Sequence, residues 1–139
     1  MIGRAIAAGV CAIVALTPAA PAAASPPPAT AVVVERSGGF AGSRDSFVVD
    51  RSTVGGRPSL RMAGSSDFLR LRSSYQPVNP CCDRYSYRVT VTYRGGHHKT
   101  VATVQGTTAP RILGNLIAEV ERVGVRSSGS APAAALRTA

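Results

Sequence analysis

The sequence predicts an α+β fold, a four-stranded antiparallel sheet with a C-terminal helix packed on one face. Three observations carry that expectation. In "DRYSYRVTVTYR" (83–94), Tyr85, Tyr87, Val89, Val91 and Tyr93 alternate with Arg84, Ser86, Arg88, Thr90, Thr92 and Arg94, the period-two pattern of a half-buried antiparallel strand. Gly95-Gly96 supplies the positive φ angles of a tight hairpin, and "HHKTVATV" (97–104) returns as the partner strand. Further on, Ile112, Leu113, Leu116, Ile117, Val120 and Val123 form one apolar stripe at helical spacing.

The other elements follow in chain order. Met1 to Arg4 is a short basic start, Ala5 to Leu16 is an apolar run of 12 residues, and "TPAAPAAAS" supplies small residues up to a cleavage site after Ala24. This is the layout of a secretory signal peptide over residues 1–24. A membrane-spanning helix needs roughly 20 apolar residues, so the mature chain is expected to be secreted with no membrane association. "SPPPAT" (25–30) reads as a Pro-rich linker. "AVVVER" (31–36) and "SRDSFVVD" (43–50) read as the two strands of a hairpin. "RSTVGGRPS" (51–59) reads as a loop. "LRMAGSSDFLRLR" (60–72) suits a short helix or a strand, with Gly64-Ser65 interrupting either, and "SSYQPVNPCC" (73–82) reads as irregular because of its two prolines. Pro110 pre-sets the first turn of the last helix with Thr108 as its cap, and Gly124 ends it. Residues 125–139 carry few large apolar side chains and read as a disordered tail, leaving 31–124 as the folded domain.

Composition narrows the function classes. The chain has 139 residues, room for one domain, and a formal charge of +9 that becomes +8 when Arg4 leaves with the leader. Lys99 is the only lysine; arginine, alanine, glycine and proline dominate, as in the products of GC-rich coding sequence. No nucleophile elbow, HExxH, paired acidic motif or phosphate loop is present in the sequence, so no catalysis and no cofactor are expected. Tyrosines and arginines of residues 84–94 segregate to opposite strand faces, so the tyrosines are expected under the helix, not stacked on nucleic acid. The arginine face leaves an alternative open, a secreted module that binds envelope polymers or other polyanions.

Cys81 and Cys82 are adjacent, and Cys11 falls in the expected leader. In an oxidising compartment three states are open: a vicinal disulfide, an intermolecular bridge, or free thiols. A metal set joining them to His97-His98 is not expected. Cys82 stands 11 residues before Tyr93, on the order of 35 Å along an extended strand, whereas His98 lies beside the hairpin turn.

The stretch "ERSGGFAGSRDSF" (35–47) sets three glycines around one phenylalanine between two strands. "VVVERSGGFAG" resembles the N-terminal signature of the emfourin family, protein inhibitors of thermolysin-like zinc metalloproteases. "DRYSYRVTVTYRGGHHKTV" followed by "PRILGNLIAEVERV" is similar to that family's closing hairpin and helix. The resemblance spans about Val32 to Gly124. It implies a monomeric, non-enzymatic α+β domain that blocks the active-site cleft of a thermolysin-like metalloprotease. The contact residues it implies are Ser37, Gly38, Gly39, Phe40, Ala41 and Gly42. Beside it stands a physical reading: glycines let backbone approach cleft walls while Phe40 seeks an apolar pocket. The competing arrangement is a bulged hairpin with Phe40 folded back onto the sheet.

Overall fold

The computed structural model describes residues 25–79 and 81–128; the expected signal peptide (1–24) and residues 129–139 of the expected tail lie outside them. The chain runs β1 (Ala29–Gly38), β2 (Ser43–Asp50), α1 (Arg57–Ala63), α2 (Ser66–Leu69), β3 (Ser74–Tyr75), β4 (Tyr85–Tyr93), β5 (His98–Val104), α3 (Arg111–Val123) and β6 (Val125–Ser128). The fold is α+β, with the C-terminal helix on one sheet face, but the sheet has six strands in the order β3-β5-β4-β1-β2-β6. It is also mixed, since β3 runs parallel to β5 and the other pairs are antiparallel. Among the described residues no helix is long and apolar enough to cross a membrane.

The four expected strands form the middle of this sheet, and the corrections fall at its edges. Residues 29–30, expected in the linker, begin β1: Ala29 is buried and the Thr30 hydroxyl donates to the Thr92 carbonyl at 3.1 Å. Tyr75, in the segment expected to be irregular, is buried with its hydroxyl accepting from the Arg72 amide at 3.1 Å. The Ala102 amide donates to the Ser73 carbonyl at 2.9 Å, so a short parallel strand forms just before the first proline of that segment. Val125–Ser128, expected to be disordered, pairs with β2 as an edge strand. The chain turns into it at Gly124, which has φ −68° and ψ 150° and no room for a side chain, since a Cβ there would lie 2.5 Å from the Val120 carbonyl oxygen.

The inner face of the sheet carries Val32, Val34, Phe47, Val49, Val89, Val91, Tyr93 and Val101, all buried. Leu113, Leu116, Ile117 and Val120 of α3 cover it, as the apolar stripe requires. The ambiguous stretch 60–72 resolves into two short helices that supply buried Ala63 and Phe68. Pro58 opens α1, which begins inside the expected loop, and Ser65 caps α2 by accepting from the Phe68 amide at 3.3 Å. The last helix starts at Arg111 with Pro110 as its N-cap and no side-chain cap, so Thr108 does not serve. The tyrosines of β4 divide: Tyr93 donates to the Ala63 carbonyl at 3.0 Å beneath α1, Tyr87 borders α3, and Tyr85 lies at the sheet end nearest the β1–β2 connection.

Candidate functional site

Register fixes the β1–β2 connection. Gly38 pairs with Ser43, which leaves Gly39 to Gly42 outside the ladder. The Gly42 amide donates to the Gly39 carbonyl at 3.0 Å, closing a β-turn with Phe40 and Ala41 at its centre. Gly38, Gly39 and Gly42 hold φ of +106°, +73° and +60°, while Phe40 and Ala41 do not leave the ordinary negative range. Glycine therefore stands where a side chain would be strained, and Phe40 where it would not. Two of the glycines answer to space as well: a Cβ on Gly38 would lie 2.6 Å from the Arg84 carbonyl oxygen, and one on Gly39 would lie 2.8 Å from the Tyr85 ring.

The turn is thus seated on the start of β4, and its apex faces outward. Phe40 is 97% exposed, so the folded-back arrangement does not occur. Ala41 and Gly42 are exposed beside it, whereas Ser37 and Gly38 are half-buried and belong to β1. The displayed group is Gly39–Gly42, shorter than the stretch 37–42 read from sequence.

Beneath the turn lies a charged cluster that the sequence reading did not identify. The Arg36 guanidinium sits between the rings of Phe47 and Tyr85, 5.4 and 5.0 Å from their centroids. It donates to Asp45 at 2.8 Å and to Glu121 of α3 at 2.9 Å. Arg126 of β6 reaches the other oxygen of Asp45 at 2.8 Å. Asp45 is 5% exposed, and its hydrogen bond to Arg36 raises the Arg36 pKa against the opposing effect of desolvation. Burial, and then Glu121, push the Tyr87 phenol up as well. The available signal was phase: Arg36 continues the inward series of Val32 and Val34, and its hairpin register sets it opposite Asp45.

The remaining predicted positions separate in space. Cys81 and Cys82 are exposed free cysteines with their sulfurs 2.6 Å apart, in the turn leading into β4. His98 pairs in register with Thr92 at the opposite end of that strand, and its Nδ1 lies 3.1 Å from the Thr92 hydroxyl. Among the described residues no group of three or more His, Cys, Asp or Glu side chains could hold a metal ion. The helix-free sheet face bears a groove of about 410 Å³ between Glu35, Arg44, Ser46, Arg88 and Ala102. Its central arginine, Arg88, stands 4.0 Å from Glu35, and the positions flanking it on that face are Ser86 and Thr90. Arg84 and Arg94 lie beyond the two ends of β4, so the three arginines do not form a continuous strip.

A family model described as Emfourin matches residues 34–121, more than half of the chain. The matched span includes the turn, Arg36, Asp45 and Glu121, and stops short of β6. Among curated proteins and solved structures, none matches.

Proposed function

The chain belongs to the emfourin family, and from that premise we propose that it is an exported, monomeric inhibitor of a thermolysin-like zinc metalloprotease and performs no chemistry itself. The Gly39–Gly42 turn enters the active-site cleft, with Phe40 filling an apolar pocket there. The observation that carries this reading is the full exposure of a phenylalanine ring at the apex of a turn whose base is fixed. Burying one such side chain contributes about 2 kcal/mol, and a turn formed in advance avoids the cost of ordering its backbone on binding. The flanking glycines present only backbone to the cleft walls. Export follows from residues 1–24 acting as a leader, which would bring the mature chain to an extracellular protease.

The test is a stoichiometric titration of mature protein against a thermolysin-like protease. Peptide cleavage should be suppressed while the inhibitor stays intact. Phe40→Ala should weaken inhibition roughly 30-fold, the equivalent of about 2 kcal/mol, without altering thermal unfolding, because the ring touches little of its own fold. Full protease activity at excess inhibitor would defeat the proposal for that target. Salt-sensitive binding to a polyanion, lost in Arg88→Glu, would favour the envelope-binding alternative instead.

A further inference from the structure

The Cys81-Cys82 turn and the Gly39–Gly42 turn stand at the same end of the sheet and share an interface. Gly38 pairs in register with Tyr85, the Arg84 carbonyl lies against Gly38, and the Tyr85 ring lies against Gly39. The Arg84 amide donates back to the Cys82 carbonyl at 2.8 Å. One hydrogen bond and two peptide units therefore link Cys82 to the group on which the exposed turn rests. Both thiols are exposed and face each other. Cys82 has φ +80°, the sole positive value on a non-glycine residue among those described. For a residue with a side chain that conformation costs about 1–2 kcal/mol. Plugging a cleft with Phe40 requires neither the strained backbone nor the facing sulfurs.

We propose that Cys81 and Cys82 form a thiol–disulfide exchange site whose oxidation state sets the geometry of the Gly39–Gly42 turn. The consequence for inhibition rests on the proposed function; the chemistry and the change in shape do not. The oxidant is a low-molecular-weight disulfide. The Cys81 thiolate attacks one of its sulfurs, breaking the S–S bond and releasing one thiolate. The Cys82 thiolate then attacks the Cys81 sulfur, forming the Cys81–Cys82 bond and releasing the second. The two thiol protons end on the two released thiolates, so the pair of cysteines is oxidised by two electrons and the small disulfide is reduced to two thiols. Cys82 donates a hydrogen bond to Cys81, and that contact raises the Cys82 pKa.

Ring closure must move the backbone. The sulfurs must close from 2.6 Å to a bond of about 2.05 Å while the consecutive Cα atoms stay about 3.8 Å apart, so the χ, φ and ψ torsions of Cys81 and Cys82 take up the change. Arg84 and Tyr85 follow within three residues. Gly38 pairs in register with Tyr85, and Gly38 and Gly39 pack so closely on the Arg84 carbonyl and the Tyr85 ring that neither position has room for a Cβ. A shift of Arg84 is therefore passed to the exposed turn.

The experiment compares full mature chain reduced with dithiothreitol and then oxidised with glutathione disulfide. Peptide mapping should show the loss of two hydrogens within the peptide that carries both cysteines. Amide NMR shifts of Gly38, Gly39 and Gly42 should change between the two states and remain fixed in Cys81→Ser and Cys82→Ser. Glutathione adducts or disulfide-linked dimers in place of the internal bond would overturn the proposal, as would an internal bond that leaves the turn amides unmoved. Inhibition of the protease should differ several-fold between the states. Redox-dependent turn shifts with no inhibition in either state would support the exchange site and defeat the plug, so the two readings fail separately.

Discussion

At the scale of single residues, two kinds of glycine support the exposed turn, and substitution should tell them apart. Gly42 has φ +60° with open space around it, while Gly39 has φ +73° and the Tyr85 ring where a side chain would begin. An alanine in the left-handed region costs roughly 1–2 kcal/mol. Gly42→Ala should therefore lower stability by about 1 kcal/mol, and Gly39→Ala by about 2–3 kcal/mol because the ring must also give way. Gly39→Ala should further weaken protease inhibition by re-aiming Phe40. Urea unfolding and inhibition titrations on the two variants check this, and equal effects would show that the Tyr85 contact contributes nothing. The glycine pattern was legible in the sequence because positive φ leaves a compositional trace. The reliance of Gly38 and Gly39 on β4 was not, because the Arg84 carbonyl and Tyr85 reach them across 46 positions of chain.

At the scale of elements, Asp45 ties the β1–β2 hairpin to the C-terminal end of the fold. It accepts from Arg36 of β1 and Arg126 of β6, and Arg36 in turn reaches Glu121 of α3. Breaking a buried charged group away from its partners costs about 3–5 kcal/mol in full burial; Arg36 and Arg126 retain 22% and 56% side-chain exposure, which lowers the figure. Asp45→Asn should cost about 2 kcal/mol, and Arg126→Ala under about 1 kcal/mol, as read from denaturant midpoints. Removing residues 125–139 should also be damaging, since it strips β6 from β2 and uncovers Asp45, and the size of the loss distinguishes a strand from a free tail. The long alternating strand and the amphipathic helix were legible because each follows one period over nine or more residues. The edges were not. A two-residue strand has no period to read, and "VRSS" gains its place from partners on β2 that its own composition does not announce. Helices α1 and α2 were obscured because Gly64-Ser65 ends one and caps the next within three positions, below the length at which helical spacing separates from strand spacing.

At the scale of the whole molecule, the sheet divides display from support. Tyr85 underlies the exposed turn at one end of β4, and Tyr93 joins the sheet to α1 at the other, about 26 Å away along an extended strand. Tyr93 is buried and donates to the Ala63 carbonyl at 3.0 Å, and desolvation pushes its phenol up to about 12 from an ordinary value of 10. Because the folded state holds this proton more tightly than the unfolded state, the contribution is fully present below pH 10 and is lost as pH rises toward 12. Tyr93→Phe leaves that carbonyl without its donor and should cost about 1–2 kcal/mol at neutral pH. The difference between the two proteins should narrow over the alkaline window, where the native phenol itself becomes a liability. Acid acts on another group: hydrogen bonds from Ser52 and Thr53 lower the Asp50 pKa below 3.8, so its contribution is present above that value and fades as pH falls through the lowered one. Since neither group touches the turn end, Tyr93→Phe and Asp50→Asn should shift unfolding while inhibition near neutral pH stays unchanged, the reverse of Phe40→Ala. Parallel pH-dependent unfolding and inhibition measurements decide it. A loss of inhibition in Tyr93→Phe at a pH where the protein remains folded would mean that the far end of the sheet also sets the shape of the turn, and that display and support are one function in this fold.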